Sequence, residues 1–392
     1  MAQQLLEEAR CMREEIISWR RALHQIPETG LSLPQTVDFV KEKLDEMEIP
    51  CLVYEECSCI TATIGKGGKC FLLRSDMDGL PIEEESGEPF ASSNGRMHAC
   101  GHDMHAATLL GAAKILKAHE AALKGTVKLF FQSGEETFSG AQAAISAGIL
   151  ENPKVDAAFA MHVAAALPNN VLIYGDYPMA AVYGFRITLT GKGTHGSMPQ
   201  MGVDPINTGV HIYLALQELL AREISATDEA ALTIGRFDAG SAANVIPERA
   251  VLEGTLRTFK PEITEFLIQR IKEVTESVAA TYRTTAEIEV LSDVPSVVCN
   301  KELTQEILGS IKDMDPAVKA LPLYHVMGSE DFAFITEKIP ATYFGIGAGV
   351  PDQSKWVGQH NPRILFNEDC LPYAAAIYAK AAIDWLTAHE AS

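Results

Sequence analysis

Long apolar runs are absent from this sequence, and basic residues are scarce. No stretch of about 18 consecutive apolar residues occurs, so we expect no transmembrane helix. The 32 lysines and arginines are outnumbered by 52 aspartates and glutamates, which gives a formal net charge of -20. Because nucleic acids and anionic membranes bind to basic surfaces, we expect neither as a partner. A small-molecule pocket can still be locally positive.

A secretion signal and a disulfide pattern are also missing. The segment MAQQLLEEAR at the amino terminus lacks the order of a signal peptide, which is a basic region followed by an apolar one. Eight cysteines are spread over 392 residues, so we expect reduced thiols and a cytoplasmic location. Cys57 and Cys59 do not have the CxxC spacing of a redox motif, and we interpret them as strand residues.

Apolar residues make up 47% of the chain. Segments with a strand-like apolar pattern alternate with segments that have a helical one. Strand-like runs at residues 70–73, 127–131 and 155–161 alternate with helical patterns at 105–119 and 140–147. This order predicts a mostly parallel sheet with helices on both faces. Such sheets bind ligands at the carboxyl ends of their strands, so we expect a functional site there.

Two further patterns refine this prediction. The turn GKGGK at residues 65–69 lacks the ending of a phosphate-binding loop, and we expect it to join a hairpin. Near residue 184 the pattern changes to strand, helix, strands, helix, strand, which is typical of an α+β unit. The length also fits two domains. We therefore predict an α/β catalytic domain at 1–183 and 297–392, and an inserted α+β lid at 184–296.

The segment MHACGHDMH, residues 97–105, is the densest group of metal-binding residue types. Cys100 and His102 flank Gly101, whose missing side chain lets the loop curl around an ion. Thiolates and imidazoles are the usual ligands of zinc-like ions. A histidine-rich helix start would explain a single histidine here but accounts poorly for the whole cluster.

Carboxylates form a second candidate group. Glu135 and Glu136 follow the apolar strand that ends in Phe130 and Phe131, where a solvated turn is the simpler alternative. Adjacent carboxylates can divide their roles, so that one binds a metal ion and the other acts as a general base. Asp76 and Asp78 also follow a strand, and either could bind a hard ion or orient a histidine ligand.

Two lone histidines are less informative by themselves. His162 follows an apolar run, where a histidine is usually a core residue, and His360 lies in the distant loop GQHNP.

Eight motifs together resemble the aminoacylase and hippurate-hydrolase branch of the cocatalytic metallopeptidase superfamily. That branch also contains N-acetyl-diaminopimelate deacetylases and plant auxin-conjugate hydrolases, and the likeness runs from RRALHQIPE almost to the end of the chain. The motifs occur in the order RSDMDGLP, MHACGHDMH, SGEET, MHV, GTHGSMPQMGVDPI, NVIPERAVLEGTLRTF, MGSEDFAF and GQHNP.

The resemblance implies roles for individual residues. It makes Glu135 the general base. Of the two aspartates, we expect Asp78 to orient a metal ligand. In the lid, His195 resembles a residue that contacts the substrate carbonyl and Asn244 another polar contact. Gln200 stands where relatives often have histidine, which puts any role of that position in doubt. The implied metal ligands are Cys100, His102, Glu136, His162 and His360.

These residues predict a metal-dependent amidohydrolase that cleaves N-acyl (acetyl or aroyl) amino acids, using metal-activated water and a glutamate base. The cofactor is one or two divalent ions, namely zinc, manganese, cobalt or nickel. Arg257 is either a grip for the substrate carboxylate or a surface strand arginine. The resemblance also implies a possible homodimer or higher oligomer through the lid.

Three alternatives stay open. A dipeptidase or aminopeptidase would use the same metals but needs a site for a free α-amine, and no carboxylate dedicated to one is identifiable. A catalytically silent metal-binding protein on the same scaffold is the second alternative. A thiol-based storage or redox protein is the third, and it would have no use for the additional carboxylate of Glu135.

Overall fold

A computed structural model describes residues 2–390 of the chain, which fold as two compact units. Unit 1 comprises residues up to Pro178, Val298–His325 and the segment from Asp331 onward, and unit 2 comprises Met179–Val297 and Val326–Glu330. The helices are α1 (Ala2–Cys11), α2 (Arg13–His24), α3 (Pro34–Glu46), α4 (His102–Ala118), α5 (Gly140–Ser146), α6 (Pro205–Arg222), α7 (Pro261–Thr281), α8 (Lys301–Met314), α9 (Ala333–Thr336) and α10 (Cys370–Ala388). The strands are β1 (Cys51–Tyr54), β2 (Cys59–Gly65), β3 (Lys69–Asp76), β4 (Gly125–Gln132), β5 (Ala157–Pro168), β6 (Leu172–Tyr174), β7 (Ala181–Thr190), β8 (Thr194–His195), β9 (Ala230–Ala239), β10 (Val245–Ile246), β11 (Arg249–Thr258), β12 (Thr285–Val294), β13 (Ala320–Leu321) and β14 (Ala341–Gly349).

Unit 1 is built on an eight-stranded sheet with the order β1-β2-β4-β3-β5-β14-β6-β13. Its centre, β4-β3-β5-β14, is parallel, whereas β1, β2 and β6 join by antiparallel pairing. The predicted α/β class with a mainly parallel sheet is therefore confirmed. Asp76 at the end of β3 pairs with Gln132 at the end of β4, so the residues that follow both strands emerge at one edge.

The predicted hairpin at residues 65–69 is wrong. β4 lies between β2 and β3, pairing antiparallel with β2 and parallel with β3. The glycine turn lies against the start of β4, since a Cβ on Gly65 would come within 2.4 Å of the Gly125 carbonyl oxygen. The glycines therefore permit a close approach of two backbones, which is a different use of the same residue type.

Helices cover both faces of this sheet. On one face, Phe71 and Leu73 of β3 pack with α4 and α10, and the Phe71 ring stacks on Trp385 at 4.8 Å. On the other face, the buried Lys128 of β4 donates hydrogen bonds to the carbonyl oxygens of Ile149 and Glu151, in the loop after α5. Strand residues alternate between these two environments, so the sheet is buried on both sides.

Unit 2 is an antiparallel sheet with two helices. The strand order is β12-β7-β11-β9, and α6 and α7 pack on the sheet around a core that includes Phe185, Leu252 and Ile271. A short ribbon pairs β8 with β10. The segment 326–330, which the sequence assigned to the other domain, belongs to this unit. Among the helices of residues 2–390, each is too short or too polar to cross a membrane.

Candidate metal centre

The loop before α4 is shaped by Gly101. This glycine has φ +93°, and a Cβ added to it would lie 2.5 Å from Cγ2 of Val163 and 3.0 Å from the ring of Phe366. Only glycine fits both the left-handed backbone and this space. The turn places Cys100 and His102, one residue on each side of Gly101, in the same buried region.

His162 reaches this loop from β5. Its Nδ1 donates to the Val163 carbonyl oxygen at 2.7 Å, which leaves Nε2 directed at the Cys100 thiol at 3.3 Å. Burial lowers the pKa of His162, so its imidazole is neutral, as a metal ligand must be. A lone histidine after an apolar run is usually a core residue. The structure instead places His162 in a cluster of possible metal-binding side chains.

Glu136 and His360 complete the group from two further loops. His360 Nε2 lies 3.4 Å from Glu136 Oε1, and both cluster with Cys100. His360 has φ +67°, and its backbone N–H donates to the Ala99 carbonyl oxygen at 3.0 Å. This hydrogen bond joins the loop of residues 358–362 directly to the loop that carries Cys100.

The donor atoms fit a cation. His102 Nε2 and Glu136 Oε1 are buried and have no hydrogen-bond partner within the described chain. They lie 3.8 Å from one another. Groups drawn from the five predicted ligands have their donor atoms within 4.8 Å of one another. Unpartnered buried polar atoms are costly, and a soft thiolate beside imidazoles suits a zinc-like ion.

Nearby acidic groups favour the protonated forms of two histidines in this cluster. Contact with the Cys100 thiol and the Glu136 carboxylate raises the pKa of His360 to about 10. Burial opposes charge on His102, but the nearby charges of Asp76 and Cys100 raise its pKa well above the usual value. Metal binding at these residues would therefore release protons.

Asp78 and Asp76 orient the cluster from the edge of β3. Asp78 lies with Oδ1 3.3 Å from His102 Nδ1, and its Oδ2 accepts from the Glu136 backbone N–H at 3.1 Å. One carboxylate thus positions two proposed ligands. Asp76 accepts from Arg74 at 2.7 Å and from His105 Nδ1, and His105 Nε2 accepts from the Val163 N–H. His105 is therefore engaged at both ring nitrogens.

Glu135 stands beside this cluster. Its side chain is buried, and its Oε2 lies 3.9 Å from His102 Nε2. One oxygen of Glu135, one oxygen of Glu136 and one nitrogen of His102 lie within 4.8 Å of one another. Gly134, at φ +65°, turns the chain sharply after β4, so that adjacent carboxylates reach the same region. The two acids therefore have different neighbours, since Asp78 and His360 contact Glu136.

A buried charged network under the loop escaped the sequence analysis. Asp103 accepts a hydrogen bond from His24 Nδ1 at 2.8 Å and forms an ion pair with Arg20 at 2.7 Å. His24 Nε2 in turn contacts Glu84 at 3.0 Å. These contacts join α2 to the first turn of α4, next to His102. The histidine of the RRALH run was the available signal, but no spacing rule relates it to Asp103.

Unit 2 carries the remaining predicted residues. His195 and Asn244 are neighbours, because the Gly196 N–H donates to the Asn244 carbonyl oxygen at 2.8 Å. His195 Nδ1 accepts from the Ser197 N–H at 3.2 Å, so the proton of the neutral ring is on Nε2. Arg257 is half-buried and donates to Met327 O and Ser329 Oγ. Among residues 2–390, no carboxylate forms an ion pair with its guanidinium.

Comparison with known proteins gives concordant matches. The model of peptidase family M20/M25/M40 matches residues 72–384. An IAA-amino acid hydrolase (ILR1-like 5) from Arabidopsis thaliana is 36% identical over 391 residues, covering 95% of this chain and 88% of the relative. N-acetylcysteine deacetylase from Bacillus subtilis is 34% identical over 373 residues, covering 94% and 96%.

A solved structure agrees with these sequences. The YXEP protein of Bacillus subtilis, described as a dinuclear metal binding peptidase, superposes with a TM-score of 0.83 at 31% identity, covering 96% of this chain and 99% of that one. The resemblance stated from the motifs is confirmed by these matches, which extend over nearly the whole chain. The chain therefore belongs to peptidase family M20/M25/M40 and is an amidohydrolase enzyme of that family.

Proposed function

We propose that this enzyme is a metal-dependent hydrolase of N-acyl amino acids, with acetyl or aroyl as the acyl group. The observation that carries the proposal is the pair of buried donor atoms without hydrogen-bond partners, His102 Nε2 and Glu136 Oε1, beside a second carboxylate, Glu135. A protein that only stored metal would have no use for that second acid. The relatives named for IAA-amino acids and N-acetylcysteine support the substrate class.

The ligands we propose are the clustered donors of unit 1. When bound there, a divalent cation lowers the pKa of water and polarises an amide carbonyl. Asp78 keeps the imidazole and carboxylate donors in place by contacting His102 and Glu136. Zinc, manganese, cobalt and nickel all suit this mixture of sulfur, nitrogen and oxygen. The proposed ligands are Cys100, His102, Glu136, His162 and His360.

Glu135 is the proposed general base. It accepts a proton from the attacking water, and it later delivers that proton to the amine nitrogen as the amide bond breaks. Its position 3.9 Å from His102 Nε2 supports this role, because a base must lie within reach of the water without occupying the cation site. Burial excludes bulk solvent from the carboxylate, which limits proton exchange with it.

We further propose that unit 2 acts as a lid that contributes polar contacts. Because Nδ1 of His195 is occupied by Ser197, Nε2 can donate a hydrogen bond to the oxyanion that develops on the substrate carbonyl. Asn244 adds a second polar group beside it. Arg257 is the proposed partner of the substrate carboxylate, since it is a half-buried cation that lacks an acidic partner in the described chain.

The test is hydrolysis of a small panel by metal-depleted protein, with each of the four metals restored in turn. The panel contains N-acetyl amino acids, hippurate, N-acetyl-diaminopimelate and simple dipeptides. We expect metal-dependent cleavage of the N-acyl amino acids. Cleavage of dipeptides alone would favour a peptidase instead, and stoichiometric metal binding without any cleavage would favour a silent metal-binding protein.

Two expectations about the cellular form accompany this proposal. A homodimer through unit 2 is supported by α6, which exposes Val210, Tyr213 and Leu214, and by β9, which lies at the edge of its sheet. Unpaired strand edges beside apolar side chains are typical association surfaces. The cytoplasmic location inferred from the sequence stays a prediction.

A further inference from the structure

The central strands β3 and β5 separate before they reach the candidate metal centre. Within residues 2–390, their pairing joins Phe71–Arg74 with Ala157–Ala160 and ends there. β3 continues to Asp76 beside β4, and β5 continues beside β14 through Ala164. The sheet is therefore open between two neighbouring strands at the edge where His162 lies.

This separation leaves two backbone groups of β5 without a strand to pair with in the described chain. The N–H groups of a strand point alternately to its two neighbours, and the Ala158 N–H donates to the Pro340 carbonyl oxygen, on the β14 side. The N–H groups of Met161 and Val163 therefore point toward β3, which no longer pairs with β5 there. Buried N–H groups need acceptors, and side chains supply both of them.

A tyrosine of α10 makes the first bridge across the opening. The Met161 N–H donates to the Tyr378 hydroxyl at 2.8 Å, and this hydroxyl donates to the Arg74 carbonyl oxygen at 2.8 Å. Tyr378 is buried in the core of unit 1. One phenol thus takes the place of a direct hydrogen bond between the two strands.

A histidine of α4 makes the second bridge, two residues further along β5. The Val163 N–H donates to His105 Nε2 at 2.9 Å. Because a backbone N–H can only donate, the ring proton is on Nδ1, which donates to the Asp76 carboxylate. Arg74 donates to the other oxygen of that carboxylate at 2.7 Å, so Asp76 is held from two sides. The imidazole therefore spans the opening between β3 and β5.

Val163 is the residue that this second bridge holds, and it contacts several segments of the metal centre. Its carbonyl oxygen accepts from His162 Nδ1 at 2.7 Å and from Gln359 Nε2 at 2.8 Å, and Gln359 directly precedes His360. Its side chain lies against Gly101, where a Cβ would come within 2.5 Å of Val163 Cγ2. Val163 therefore contacts the segments that carry four of the five proposed ligands.

His105 also packs directly on two of the ligand imidazoles. Its ring centroid lies 4.5 Å from that of His162, edge to face, and 5.4 Å from that of His102, stacked. A buried histidine that serves the core alone could use any pair of polar partners. The partners of His105 are instead the carboxylate that ends β3 and the N–H that follows His162.

We propose that His105 is a positioning residue of the metal centre, which holds the end of β5 so that His162 and the segments around Val163 meet the other donors. This inference rests on the proposed function, because it concerns the same ligands. Asp76 supports the role by fixing the ring from the β3 side. Tyr378 makes a bridge of the same kind two residues earlier, so it stabilises the sheet without setting the position of the donors.

The first experiment compares His105→Phe with Tyr378→Phe. His105→Phe keeps a ring and removes both hydrogen bonds, so we expect metal affinity to fall about 10- to 100-fold, as for other residues that orient ligands. Affinity is measured by competition with a chromogenic chelator. The cobalt-loaded variant should also show altered d–d absorption bands, because the arrangement of the donors changes.

Tyr378→Phe is the matched control, since it removes the other bridge across the same opening. It should lower Tm while keeping the wild-type metal affinity and cobalt spectrum. Wild-type affinity and spectrum in His105→Phe would overturn the proposal. Equal losses of affinity in the two variants would also overturn it, because they would show a general effect of the sheet.

The second experiment concerns the hydrogen bonds themselves. His105→Gln retains one donor and one acceptor, so it should bind metal more tightly than His105→Phe, and equal affinities would contradict a role for these bonds. Zinc-loaded wild type with ¹⁵N-labelled histidine tests the bridge without relying on the folding of His105→Phe. Its NMR spectrum should show His105 as a neutral ring with the proton on Nδ1. A proton on Nε2 would overturn the bridge to Val163.

These measurements need no substrate, so they separate the positioning role from the proposed reaction. A wild type that binds metal but cleaves no N-acyl amino acid would refute the proposed function. The comparison of metal affinities between His105→Phe and Tyr378→Phe would still decide the role of His105.

Discussion

At the scale of single residues, Glu135 and Glu136 show how adjacent carboxylates acquire different surroundings. Glu136 is held by a backbone hydrogen bond to Asp78 and by His360, whereas Glu135 lies beside His102. Burial works against charge on Glu136, but the neighbouring imidazoles of His360 and His102 lower its pKa. A carboxylate that stays ionised in this way is suited to bind a cation.

Glu135→Gln tests this division of roles. We expect kcat to fall by about 10²- to 10⁴-fold, since the amide cannot accept the proton from water. Metal content should be unchanged, because the proposed ligands remain. Glu136→Gln is the matched variant, and it should lose metal as well as activity. Wild-type turnover by Glu135→Gln with full metal content would refute the base assignment.

Arg257→Gln tests the proposed contact with the substrate carboxylate. We expect KM for an N-acyl amino acid to rise about 10- to 100-fold, because a charge-assisted hydrogen bond contributes about 1.5–3 kcal/mol. The carboxamide analogue of the same substrate should be cleaved equally by both enzymes. Arg249→Gln, on the same strand β11 but exposed, is the control. An equal loss for substrate and carboxamide would contradict the assignment.

At the scale of elements, Gly101 has a left-handed backbone conformation just before α4. This conformation positions the loop that carries two of the proposed ligands. In Gly101→Ala, we expect a loss of about 1–3 kcal/mol of stability from backbone strain. The added Cβ also meets Val163 at 2.5 Å, so the loop must shift. Because Cys100 and His102 flank this position, metal affinity should fall by about 10- to 100-fold, as for residues that orient ligands.

Gly95→Ala separates strain from displacement. Gly95 has φ +75° but no atom within 4 Å of an added Cβ, so this variant carries backbone strain without a clash. We expect it to lower stability and to leave metal affinity unchanged. Metal affinity would be measured by competition with a chromogenic chelator. Equal metal affinities of Gly101→Ala and Gly95→Ala would show that the clash at position 101 does not disturb the candidate metal centre.

Patterns within one element were predictable, and contacts between distant elements were not. The alternation of strands and helices predicted the parallel sheet, and ligand chemistry singled out Cys100 and His102. Local spacing could not show that β4 inserts between β2 and β3, because strand order depends on pairing across the whole sheet. His24 and Asp103 are 79 residues apart, so their contact also follows from tertiary packing alone.

At the scale of the whole molecule, the buried network around His24 makes stability depend on pH. Burial works against charge on Glu84, but hydrogen bonds from His24 and Ser86 lower its pKa to about 2. A lowered pKa means that ionised Glu84 stabilises the fold above its unfolded value of 4.5. This contribution is lost as the pH falls from there toward 2.

Glu84→Gln should therefore lower Tm by several degrees at pH 7, since a hydrogen bond to a charged group contributes about 1.5–3 kcal/mol. The difference from wild type should shrink as the pH falls from 4.5 toward 2, because Glu84 of the unfolded chain takes up a proton there while Glu84 of the folded protein stays ionised. Calorimetry across this range measures it, with the exposed Glu83→Gln as control. A difference that stays constant down to pH 3 would contradict the linkage.

Leu214→Glu tests the proposed association through unit 2. Leu214 is 55% exposed on α6, and a charge in an apolar contact between two copies would be buried without a partner. Light scattering after gel filtration should give a dimer for wild type and a monomer for the variant. Glu218→Gln, on the same helix, should remain dimeric. A monomeric wild type would refute the assembly.

The order of the segments of unit 1 has a consequence for biosynthesis. The proposed ligands run from Cys100 to His360, and α10, which packs in the core of this unit, is the last helix of the chain. The two halves of unit 1 are separated by the whole of Met179–Val297. At roughly 5–20 residues per second, a ribosome needs tens of seconds between the first and last ligands. The complete set of proposed ligands therefore exists only after His360 has been synthesised, and a chain cut short before His360 lacks one of them.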